Sequence, residues 1–132
     1  MLIGHLTPVK SMAATAIVSI RGSIDPKNLS SLATALETGR GRGFCTLVFD
    51  LGEIRYINSA GLAYLVNLSD LLADRGGGLY LANAQPKVKL IFELMGLTEM
   101  FRIFRTVDTA LSAAAAGRPT SPPVPSRVSR RG

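Results

Sequence analysis

Tryptophan is absent, cysteine and histidine occur once each, and no apolar run approaches the length of a membrane span. Each shortage removes a class of function. A lone Cys45 excludes an intramolecular disulfide and a cysteine-based metal cage, which makes a reduced, cytoplasmic setting the simplest inference. Its place at the head of an apolar run reads as a packed core thiol. The sole imidazole is His5, near the N-terminus, so no serine is offered a general base. The Gly-x-Ser-x-Gly elbow of serine hydrolases is also missing, because Ile57 stands where its first glycine belongs. Gly39-Arg40-Gly41-Arg42-Gly43 and Gly76-Gly77-Gly78 precede strands instead of joining a strand to a helix, and they read as ordinary loops. The sequence therefore calls for a binding protein with no catalytic group, no metal and no cofactor.

What is present suits one small domain. The chain has 132 residues, 47% of them hydrophobic but only 6% aromatic, so aliphatic side chains must fill the core. The net charge of +6 belongs mainly to residues 118–132, which carry Arg118, Arg127, Arg130 and Arg131 and no acid; 11 basic and 9 acidic side chains precede them. With four prolines, this stretch reads as a disordered basic tail following a folded unit over 1–117. It has neither interleaved aromatics nor helical periodicity, so specific nucleic-acid binding and membrane insertion are not expected. The apolar stretch 12–20 follows Lys10, but its Ala14-Thr15-Ala16 triplet lies inside it, so it reads as a strand and not as a secretory leader.

Strand and helix patterns then alternate. Residues 14–21 read as a strand ending at Arg21-Gly22, with a weaker strand within 2–10 beside it. Asp25-Pro26 is a good helix start, and Leu29, Leu32, Ala33 and Leu36 give that helix an apolar face. Phe44 to Leu51 suits a central buried strand, followed by a short loop and a helix from Ser59 to about Arg75. On this helix Leu62, Leu65, Val66, Ser69 and Leu72 are placed toward the sheet, and Tyr64, Leu68 and Leu71 on the flank. Leu79 to Ala82 is a strand, and Pro86 opens a helix with Val88, Ile91, Phe92 and Met95 on one face. Phe101 to Phe104 is a short edge strand, and residues 107–116 a last, Ala-rich helix. The fold class is α/β, with about four helices packed on a mixed sheet of four to five strands.

Ser59 is the leading site candidate. A serine at a helix start is most often a cap, but Asn58 competes for that role and would leave Ser59 in the first turn with its hydroxyl outward. The unpaired N–H groups and dipole of a helix start favour negative charge, so a phosphate there is well accommodated. Gly61 is expected to keep the turn bare for an approaching backbone or phosphate. Asp25 reads either as an N-cap or as an acidic group on the same rim as Ser59, since both follow strands and precede helices.

The residues quoted so far resemble the STAS domain of anti-sigma-factor antagonists. Gly22-Ser23-Ile24-Asp25 matches an early motif of that family. Val48-Phe49-Asp50-Leu51 with Ile57-Asn58-Ser59-Ala60-Gly61-Leu62 matches its signature segment, and Ile91 to Leu97 its late helix and turn, with Phe101 where an aromatic is usual. The resemblance covers roughly residues 10–116. It implies a partner-switching regulator of transcription. The unmodified protein would bind an anti-sigma factor that is also a serine kinase, leave it when Ser59 is phosphorylated, and be reset by a serine phosphatase. Asp25, Asn58, Ser59, Ala60, Gly61 and Tyr64 would form the partner-binding site of a monomer or weak dimer. The family most often has Asp before the serine, and this chain has Asn58. A non-phosphorylated STAS subunit of a transport or lipid-trafficking complex is the alternative the resemblance leaves open.

Overall fold

The computed structural model describes residues 3–24, 43–98 and 101–116. Five strands form one sheet in the order β1 (Ile3–Pro8), β2 (Thr15–Ile24), β3 (Thr46–Ile57), β4 (Gly78–Ala82) and β5 (Ile103–Phe104). β1 runs antiparallel to β2, and every other neighbouring pair is parallel. The crossovers supply helices α1 (Ser59–Asp74) and α2 (Pro86–Leu94), and α3 (Val107–Ala115) follows β5. This is the expected α/β class with a mixed sheet. The helix expected after Asp25-Pro26, which would be the fourth, lies outside the described residues.

Both faces of the sheet carry buried side chains. On one face Ala16, Val18, Ile20 and Ile24 of β2 and Leu47, Phe49 and Leu51 of β3 pack with Leu62, Leu65, Leu68 and Leu72 of α1 and with Val88 and Phe92 of α2. On the other, Val48, Tyr80, Ala82 and Phe104 pack against Ala110 of α3. Burial of this kind supplies most of the driving force, at about 25 cal/mol per Å² of apolar surface removed from water.

β3 departs from the expected strand followed by a loop, because it continues to Ile57. Its register against β2 jumps twice. Ser19 pairs with Asp50 but Arg21 with Glu53, and Gly22 pairs with Ile54 but Ser23 with Tyr56. Each jump is a bulge that puts one extra residue in β3. The inward residues are therefore Leu47, Phe49 and Leu51, then Ile54 and Ile57, all fully buried or nearly so. A spacing of two becomes a spacing of three, which hides the strand from a search for alternation. β2 likewise runs past Gly22 to Ile24, because the bulged half of β3 gives it a partner.

Two helix faces also need correction. Leu68, expected on the flank of α1, is in the core, whereas Val66 and Ser69 are only half-buried. The stripe Leu62, Leu65, Leu68, Leu72 keeps the three- and four-residue spacing of one narrow face. Met95, expected in the core with α2, is exposed, because the helix ends at Leu94 and Met95 is its C-cap.

Candidate functional site

The end of β3 runs into α1 with a single residue between them. Asn58 is extended, and its N–H donates to the Ile24 carbonyl at 3.1 Å, which ties the junction to the end of β2. Its Oδ1 accepts the Gly61 N–H at 2.9 Å, and its own carbonyl accepts the Leu62 N–H at 3.0 Å. Asn58 is thus the N-cap, and Ser59 is the first helical residue, exposed to solvent. Neither the cap nor the first turn carries an acidic side chain, so the helix itself supplies no counter-charge to the positive end of its dipole.

Ala60, next to Ser59, and Tyr64, further along α1, are half-buried, and Tyr64 packs against the core. Gly61 is a correction. It is buried and faces inward, where a Cβ would lie 2.6 Å from Ile24 Cγ2, 3.0 Å from Ile57 Cγ1 and 3.1 Å from the Ile24 carbonyl oxygen. The glycine lets the helix start sit directly on the β2 end. The space left by its missing side chain lies on the inner side, against Ile24 and Ile57, and not on the outer surface of the turn. Asp25 lies outside the described residues. Ile24, which precedes it in the chain, is the register partner of Ile57.

The first bulge is held by a polar cluster that the sequence reading did not single out. Asp50 Oδ1 accepts the Gly52 N–H at 3.0 Å and an Asn83 Nδ2 proton at 3.2 Å. Gln85 Nε2 donates to the Gly52 carbonyl at 2.9 Å. Asn83 has φ +63°, a conformation Asn tolerates better than most residues. The available signal was an Asp two residues before a Gly inside an apolar run. The cluster fixes where the second half of β3 points, and hence where Ser59 stands. Among the described residues no group of three or more His, Cys, Asp or Glu side chains is arranged to hold a metal ion. No described helix is long and apolar enough to cross a membrane.

The cap has a measurable value. Asn58→Ala removes the acceptor for the Gly61 N–H and is expected to cost about 1 kcal/mol of folding stability. Asn58→Asp keeps the acceptor and adds negative charge at the helix start, for a gain of about 0.3–1 kcal/mol at low salt. Urea denaturation of both variants checks this, and equal stability of the two would show that the side chain does not cap.

Residues 8–110 match the model of the STAS domain family. The anti-sigma-F factor antagonist RsfB of Mycobacterium tuberculosis is 30% identical over 103 residues, which is 78% of this chain and 84% of that protein. Among solved structures, an anti-sigma factor antagonist from Mycobacterium paratuberculosis superposes with a TM-score of 0.75 at 24% identity, covering 87% of this chain and 95% of that one. The Bacillus cell fate determinant SpoIIAA in its phosphorylated form gives 0.63 at 18% identity, covering 83% and 97%. At these identities the two structures speak for the fold alone.

Proposed function

The chain belongs to the STAS domain family, and from that premise we propose that it is an anti-sigma-factor antagonist whose binding is switched at Ser59. The observation that carries this reading is the position of one hydroxyl. Ser59 is the first residue of α1, exposed, beside a neutral cap and a first turn without acids. A kinase can reach it, and a phosphate there is tolerated by the protein itself. The phosphate adds about −1.5 to −2 charges at pH 7, against a helix start that favours negative charge.

The switch then works between molecules. The unmodified protein presents Ser59, Ala60 and Tyr64 around Asn58 to an anti-sigma factor that is also a serine kinase. Transfer of phosphate to Ser59 puts a charge into a surface the partner has to dehydrate, and the complex separates. A serine phosphatase restores the binding form. The neutral Asn58 leaves the phosphate as the only anionic group of the first turn.

Incubation with ATP and each purified anti-sigma serine kinase of the source cell, followed by intact-mass analysis and peptide mapping, tests the reading. A single phosphate on Ser59, lost in Ser59→Ala, is the expected result. An unmodified protein that still binds such a partner stably would overturn the switch.

A further inference from the structure

Among the described residues, only half of the second face of the sheet is covered. α3 lies over Val48, Tyr80, Ala82 and Phe104, which belong to the first half of β3 and its neighbours β4 and β5. β4 pairs with β3 only from Thr46 to Asp50, so Leu51 to Ile57 extend beyond it. On this extension the inward side is sealed by Ile54 and Ile57, with Ile24 of β2 beside them. On the outward side Ser19 and Arg21 of β2 and Glu53 and Tyr56 of β3 are exposed. Tyr56 is 51% exposed, and it is the only aromatic among the described large hydrophobic residues that are exposed.

The second bulge puts it there. The step from Ile54 to Tyr56 against a single step from Gly22 to Ser23 leaves Arg55 as the extra residue. Ile54 and Ile57 then both face the core while Tyr56 faces out. A large exposed aromatic on a sheet face that no described helix covers, three residues before the exposed Ser59, is the kind of residue that anchors protein interfaces. Three peptide units hold the two Cα atoms within about 11 Å, well inside one interface. The surrounding charge is also defined. Arg21 and Glu53 form an ion pair with each other, whereas Arg55 is exposed and has no ion pair among the described residues. The Tyr56 ring is therefore the one large apolar group among these exposed residues, with the charge of Arg55 next to it in the chain.

We propose that the partner reading Ser59 also covers this face, receiving Tyr56 in an apolar pocket bordered by a carboxylate that meets Arg55. The proposal rests on the Ser59 reading for the identity of the partner but not on the switch. It enlarges the footprint from the start of α1 to the outer side of β2 and β3, and it assigns the anchor to a residue outside the phosphorylated turn. A carboxylate opposite Arg55 would in addition repel a phosphate on Ser59.

Calorimetric titration of the full chain with the purified anti-sigma serine kinase that phosphorylates or binds it tests the footprint. Tyr56→Ala is expected to weaken binding at least tenfold, and Tyr56→Phe to stay within about threefold, because the ring supplies the anchor. Arg55→Glu is expected to weaken binding in a salt-dependent way. Both positions are exposed to solvent, and circular dichroism confirms the fold of each variant. Unchanged affinity of Tyr56→Ala, with Ser59→Asp released, overturns the footprint and leaves the switch standing. Weakened Tyr56→Ala with Ser59→Asp still bound supports the footprint and overturns the switch.

Discussion

Ser59→Asp is expected to weaken binding to the anti-sigma partner by more than a hundredfold, while Ser59→Ala stays within a few-fold of wild type. The difference arises in the complex and not in the free protein. In the free protein the aspartate sits in the first turn of α1, next to Asn58, in a turn with no other acid. It gains about 0.3–1 kcal/mol there from the helix dipole. In the complex the same carboxylate must lose its water, and without a cationic partner that costs several kcal/mol. A net penalty of about 3 kcal/mol already exceeds a factor of one hundred in affinity. Alanine removes a hydroxyl and adds no charge, so it lacks this penalty. Titration calorimetry on the two variants, beside their denaturation curves, separates the cases. Equal affinities for Ser59→Asp and Ser59→Ala would sink the switch. A loss of affinity matched by a loss of stability would place the effect in the fold.

The second large effect is on the fold. Gly77→Ala is expected to cost more than about 3 kcal/mol, a large part of the 5–15 kcal/mol typical of a folded domain. α1 ends in paired bonds in which the Gly77 N–H donates to the Leu72 carbonyl at 2.9 Å and the Gly76 N–H to the Ala73 carbonyl at 3.0 Å. This turn brings the chain against the start of β3. A Cβ on Gly77 would lie 1.7 Å from the carbonyl oxygen of Cys45, and that carbonyl already accepts the Gly78 N–H at 3.1 Å. A backbone atom held in the first rung of the β3–β4 ladder does not yield as a side-chain tip would, so the turn must separate from the sheet. Gly76 is the control. It has φ +84° with open space around its Cα, and alanine there costs only the conformational strain, about 1–2 kcal/mol. Urea denaturation of both variants tests the distinction. If Gly77→Ala loses no more than Gly76→Ala, the close approach is not what demands glycine.

The two glycines show how unevenly the structure could be read from the residues. Gly76-Gly77-Gly78 announces the end of a helix in any context, because a left-handed turn favours glycine. That Gly77 is needed for a contact with Cys45, 32 positions earlier, depends on which strand the helix returns to. The same holds at Gly61. Its smallness was legible, but whether it faced a partner or Ile24 depended on how closely α1 packs on the end of β2.

The sequence by itself determined the α/β class, the order of strands and helices over the described residues, and Ser59 at a helix start. These follow from local signals, namely apolar periodicity, caps and chain-reversing glycines, whose physics acts within one or two turns of the chain. It also determined the family, through short motifs in a fixed order. Only the tertiary structure decided that β3 continues to Ile57 through two bulges, that Gly61 and Leu68 point inward, and that Tyr56 is exposed. Those outcomes depend on a neighbour. A residue in β3 learns which way it faces from its pairing with β2, and each bulge moves every later side chain to the opposite face. Register is a property of two strands, and no window along one strand contains it.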